Sequence, residues 1–196
     1  MVTNTIAILQ REHTRLQAEN NRLHDELRVL QDFVQIMNTL VERAHQASDD
    51  MLLPLLRETF DHALDLLNAP EGSLLLLDDQ TQELKFMLVK GQLAERLLGY
   101  RIPADGGVAG WVVTHAQPTL VRDVRRDERF SDTIDDAFKF RTQSIVAAPL
   151  IGQGRVLGVL EALNQPTDKP FSDQDTMLLN LLCRFAGELL VGIDSD

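Results

Sequence analysis

The sequence predicts an α+β domain built on an antiparallel sheet, with a long coiled-coil helix in front of it. Three features carry that prediction. Leucines recur at seven-residue spacing from Leu9 to Leu30, two strand-like runs are joined by Gly152-Gln153-Gly154, and apolar residues line one face from Leu178 to Ile193.

The first helix comes from the heptad. Leu9, Leu16, Leu23 and Leu30 form one row, continued by Met37 and Ala44, and Ile6, His13, Asn20, Leu27, Val34 and Val41 form the matching row. No Pro or Gly precedes Pro54, so the helix can run unbroken through about the first 45 residues. An apolar seam two positions wide in seven is too narrow for a globular face and suits a supercoiled pair. Asn20 at a core position fixes register in a parallel pair, because each Asn finds its mate only when the chains align. Glu12, Glu19 and Glu26 flank the seam opposite Gln10, Gln17, His24 and Gln31, so no acid faces an acid. The expected dimerisation contacts are Leu9, Leu16, Asn20, Leu23, Leu27, Leu30, Val34 and Met37. From Phe33 the stripe widens through Ile36 and Leu40, as it does where a helix enters a bundle.

After Ser48-Asp49-Asp50, apolar residues at Leu52, Leu55, Leu56, Phe60, Ala63, Leu64 and Leu67 follow a helical period, stopped by Ala69-Pro70-Glu71-Gly72. Ser73 to Leu77 and Glu83 to Val89 read as a hairpin. Ser144 to Ile151 and Arg155 to Asn164 read as a second one, turned by the glycine link. Ser172 stands three residues before Asp175, a capping-box-like start for the last helix, which runs to Ile193. Helix, hairpin, irregular middle, hairpin and helix is the order of an α+β fold with an antiparallel sheet. The expected division is a dimerisation helix over 1–47 and a globular domain over 48–196.

Composition excludes several classes. A formal charge of −11 opposes contact with nucleic acid, a polyanion. One cysteine makes no internal disulfide, which fits a reducing compartment. The start lacks the basic region and apolar core of a signal peptide, and no apolar run reaches the ~18 residues of a membrane span. The expectation is a cytoplasmic protein without membrane or nucleic-acid partners.

Three segments then resemble a known family. They are Pro103 to Val112 (PADGGVAGWV), Val121 to Phe130 (VRDVRRDERF) leading through Asp135, Phe140 and Thr142 to Ser144–Leu150, and Val156 to Asn164 (VLGVLEALN) followed by Phe171 to Asp175. Their order and spacing resemble the GAF domains of signalling proteins and cyclic-nucleotide phosphodiesterases, over roughly residues 50–193. The resemblance implies a six-stranded antiparallel sheet flanked by helices and a pocket roofed by the middle segment. It also implies dimerisation through the first and last helices, with changes relayed along an attached coiled coil. Carried over by position, the ligand-binding residues are Trp111, Val121, Asp123, Phe130, Phe138, Phe140, Ser144 and Ala147.

The cyclic-nucleotide members carry an Asn-Lys, Phe, Asp-Glu signature. Asn164, Phe171 and Asp175 match it, whereas Gln165 stands for the Lys and Thr176 for the Glu, which removes the cation that would face Asp175. Tetrapyrrole attachment and sulfoxide-reductase chemistry need cysteines by the pocket, and Cys183 lies instead on the Leu-rich last helix. Haem needs an axial His, and only His115 falls in the right region, at an expected helix end. His13, His24, His45, His62 and His115 are scattered, so no metal site is expected. Arg122, Arg125, Arg126 and Arg129 alternate with Asp123, Asp127 and Glu128, as in a salt-bridged loop. Gly106, Gly107 and Gly110 either bring N–H groups to an anion at a helix start or serve a tight turn. Nucleophile and phosphate-binding motifs are missing, so no catalytic residues are expected.

The sequence thus points to a non-enzymatic, dimeric sensor that binds a small ligand and relays it through packed helices to an effector protein. The alternative is a module whose pocket is filled by its own side chains and which serves only dimerisation or protein interaction. No cofactor is named by the residues. Since no effector segment follows Ile193, the chain is expected to be a stand-alone regulator or a piece of a longer protein.

Overall fold

A computed structural model describes residues 2–44, 52–166 and 170–192. The expected Ser48–Asp50 break, His45, Ile193 and the acidic end lie outside the described residues. The chain forms two compact units, Met1–Thr39 and Leu40–Asp196.

The first unit holds most of helix α1, Val2–Ala44. The expected heptad rows stand out on its surface: Leu9, Leu16, Leu23 and Leu30 are each about half or more exposed on the single chain, as are Leu27 and Val34. Short-range ion pairs Glu12–Arg15 and Arg22–Glu26 support the helix along its polar side.

The second unit is a six-stranded antiparallel sheet covered by helices on both faces. Its strands are β1 (Glu71–Asp78), β2 (Glu83–Lys90), β3 (Arg101–Pro103), β4 (Thr119–Val121), β5 (Ile145–Gly152) and β6 (Arg155–Leu163), in spatial order β3-β2-β1-β6-β5-β4. The two expected hairpins are β1–β2 and β5–β6, and they join through an antiparallel pairing of β1 with β6 at the centre. Gln153 and Gly154 turn the second hairpin with φ of 47° and 73°, the positive values that a type I′ turn requires.

One face carries α2 (Leu52–Leu66) and α6 (Asp173–Gly192). The helical period of α2 buries Leu55, Leu56, Phe60, Ala63 and Leu64. The helix ends where Asn68 takes a left-handed φ of 50° and the Ala69 N–H donates back to the Leu64 carbonyl at 2.8 Å. Ser172 and Asp175 exchange the expected capping bonds: the Ser172 N–H and hydroxyl donate to the Asp175 carboxylate, both at 2.7 Å, and the Asp175 N–H donates to the Ser172 Oγ. Helix α6 lies close on β5 because Gly187 and Gly152 meet there; a Cβ on either would collide with the opposing backbone.

The other face is covered by the chain between the hairpins, which forms α3 (Ala94–Leu97), α4 (Gly107–His115) and α5 (Thr133–Phe138). Beneath it lies an apolar core that includes Leu75, Leu84, Val112, Ala147 and Val159.

Candidate functional site

A bulge in β2 shapes the site. Leu74 pairs with Leu88 and Leu75 with Phe86, so Met87 has no partner on β1. The extra residue resets the alternation of faces, and Phe86 and Val89 both point into one cavity. That cavity holds about 310 Å³, at the small end of the ~300–1,000 Å³ usual for ligand pockets. The central strands β1, β6 and β5 form its floor, α3 and β3 one wall, and the start of α4 and the segment from Phe130 to Thr142 the roof. Gly107 enters α4 with a φ of 70°, and a Cβ on Gly110 would strike the Asp105 backbone; the tight-turn reading of these glycines holds.

The lining is mostly apolar, with Leu93, Leu97, Ile102, Val108, Ile145 and Leu163 prominent. Glu161 is set among them on β6, directly across from Ser73, whose hydroxyl donates to its Oε2 at 3.1 Å. Burial pushes the Glu161 carboxyl up to about 7, and the Ser73 hydrogen bond opposes only part of that rise. A carboxyl is therefore held near its titration point at neutral pH inside an apolar chamber.

Asp135 fixes the roof. Its carboxylate accepts from Arg125 at 2.8 Å, from the Thr142 N–H at 3.0 Å and from the Thr142 hydroxyl at 2.7 Å. At the far end of α5, Arg96 donates to the Phe138 carbonyl at 3.0 Å and its guanidinium lies over the Phe138 ring. Tyr100 meets the same ring edge-on.

Residues 52–190 match the GAF domain family, which is most of the chain. The chain belongs to the GAF domain family. GAF domains are signalling sensor and regulatory domains. Among curated relatives, the Drosophila melanogaster dual 3′,5′-cyclic-AMP and -GMP phosphodiesterase 11 is 29% identical over 136 residues, covering 62% of this chain and 9% of that protein. The Mus musculus cone cGMP-specific 3′,5′-cyclic phosphodiesterase subunit alpha′ is 31% identical over 88 residues, covering 45% of this chain and 10% of that protein. The chain thus spans about a tenth of these relatives' length. Among solved structures, the GAF domain of a phosphoenolpyruvate-protein phosphotransferase from Coxiella burnetii superposes with a TM-score of 0.71 at 18% identity, covering 84% of this chain and 96% of that one. Free methionine-R-sulfoxide reductase from Neisseria meningitidis, solved with its substrate, superposes at 0.66 with 20% identity, covering 83% and 90%. These structural likenesses establish the GAF fold.

Within that fold the residues assigned by family position separate. Phe130 and Phe140 line the cavity. Trp111, Val121, Asp123, Phe138, Ser144 and Ala147 do not. Val121 and Ala147 belong to the same core cluster as Val112 of α4. Trp111 stacks on His115 at 4.4 Å on one side and carries the Arg129 guanidinium at 4.6 Å. Asp123 accepts the Arg125 N–H and starts a short 3-10 turn, Val124–Arg126. Ser144 gives its carbonyl to the Asn164 N–H. The arginine-rich segment is salt-bridged, but only Arg129–Asp127 uses an acid of the segment itself; Arg122 pairs with Asp173 and Arg125 with Asp135. Glu161 and Ser73 escaped the sequence reading, although an acid inside the apolar run VLGVLEAL was a visible signal.

Among the described residues no group of acids, His and Cys is placed to hold a metal ion, and no helix is long and apolar enough to cross a membrane. Cys183 is fully buried and its thiol is pushed well above the ordinary range, so it is a packing residue.

Proposed function

We propose that this GAF domain is a non-enzymatic sensor that binds a small ligand between the sheet and the α3–α5 roof, and signals through its helices as a parallel homodimer. The cavity carries the reading: a mostly apolar chamber with the Glu161 carboxyl set in its floor is a shape with a specificity element, whereas a domain that serves only to dimerise needs neither. The roof rests on Asp135 and Phe138, so a ligand can alter its packing. A ligand shifts such an arrangement only by binding one form better than the other.

The phosphodiesterase relatives are named for cyclic nucleotides. Here the positions of their signature serve other contacts. Gln165 is buried and donates to the Leu67 carbonyl at 2.7 Å, and Asp175 caps α6. The ligand is better sought from the cavity's own chemistry.

A thermal-shift screen of metabolites and nucleotides tests the sensor reading. A ligand that binds only the folded state raises the melting temperature, and at 100 times its Kd it adds about 2.7 kcal/mol. Silence across the screen at millimolar concentration would favour the dimerisation-only module.

The paired state rests on the exposed heptad rows of α1. Sedimentation should give twice the mass of the chain, and Asn20→Val should melt higher while forming more than one assembly. A monomeric mass for the wild-type chain overturns the pairing.

A further inference from the structure

The polar groups on the cavity wall select a ligand class, an inference that rests on the sensor reading above. Four ionisable side chains line the cavity: Glu71 on β1, Lys90 on β2, Asp135 on α5 and Glu161 on β6. Lys90 binds Asp65 at 2.7 Å, and Asp135 is matched by Arg125. Glu71 has only a neutral partner, the Asn164 amide at 2.7 Å, and Glu161 only the Ser73 hydroxyl. Ala147, which faces Glu161 from β5, and the lining residues of α3 and α4 bring no ionisable group. Among the described residues the wall therefore holds two carboxylates without a countercharge, and one of them sits in an apolar setting.

We propose that the cavity takes a small primary amine with an apolar body, its ammonium seated on the Glu161 carboxylate beside Ser73. The ammonium supplies the missing countercharge and donates to the free Glu161 Oε1, and the hydrocarbon body meets Phe86, Leu97, Ile102 and Leu163. A volume of about 310 Å³, at the small end of ligand pockets, favours a compact amine. Glu161 is about half ionised near pH 7, so uptake of the amine completes its ionisation and affinity rises with pH.

Calorimetric titration of the full chain with isobutylamine, cyclohexylmethylamine and 2-phenylethylamine tests this, each beside the alcohol and the carboxylate of the same skeleton. At least one amine should bind tenfold or more tighter than its alcohol at pH 8, and about tenfold weaker at pH 6, following the ionised fraction of Glu161. Glu161→Gln should abolish the preference, while Glu161→Asp, which retains the charge, should keep part of it; circular dichroism establishes that both fold. Equal binding of amine and alcohol, or an amine preference that survives Glu161→Gln, overturns the amine assignment and leaves the cavity a ligand site. Absence of binding by every probe also overturns it, and the metabolite screen then decides separately whether the sensor reading stands.

Discussion

Asp135→Ala is expected to lower the melting temperature of the domain by roughly 10 °C, the equivalent of about 3 kcal/mol for a domain of this size. The loss comes chiefly from Thr142, which is buried and surrenders two hydrogen bonds at once, one from its N–H and one from its hydroxyl. Each buried donor left without an acceptor costs about 1–3 kcal/mol. The ion pair contributes less, because half of the Arg125 side chain is in water. Differential scanning calorimetry measures the total. Hydrogen exchange should place the loosening in residues 133–142 above the cavity, with the α2–α6 face unchanged; loosening spread evenly over the sheet would contradict the role given to Asp135.

Glu161→Gln is expected to stabilise the unliganded domain at alkaline pH. The carboxyl titrates near 4.5 when unfolded and about 7 when folded, so folding favours its protonated form. Below pH 4.5 the group is protonated in both states and contributes nothing. As pH rises from 4.5 to 7 the unfolded state releases its proton first, and the fold loses stability; above pH 7 the loss is constant. The full shift corresponds to about 3 kcal/mol, reduced to about 2 kcal/mol because the carboxyl borders a cavity that water can enter. Urea melts of variant and wild type should therefore coincide near pH 4.5 and separate by about 2 kcal/mol at pH 8. Equal stability at pH 8 would mean that Glu161 titrates as an ordinary surface acid.

Local chemistry makes the long elements legible in the sequence. The Gly154 turn, the Ser172–Asp175 cap and the apolar periods of α2 and α6 each act within a few residues, and each appears where expected. Strands β3 and β4 were not legible, because each is three residues long and held by pairing with a distant strand, β2 or β5. The lining of the cavity was less legible, for a related reason: of the residues carried over by position, Phe130 and Phe140 reach it. Family position puts Val121 and Ala147 on the cavity face of the sheet, but that face runs on into the core shared with α4, and the cavity occupies only the rest. The bulge at Met87 decides which residues of β2 enter the cavity, and a one-residue slip leaves no mark on a run as apolar as FMLV. Glu161 could have been found from sequence by asking why one acid stands amid β-strand hydrophobes; that no cation among the described residues pairs with it required the fold.

The most direct trial of the sensor reading is equilibrium dialysis of the protein against a cell extract of small metabolites, with mass spectrometry of what stays bound. The comparison is wild type against Ile102→Trp, in which an indole from the edge strand occupies the chamber. The wild-type protein should retain at least one small molecule, expected to carry an amine, that Ile102→Trp does not. Identical retention by the two proteins would show that the chamber holds no ligand, and the sensor function proposed for it would be wrong.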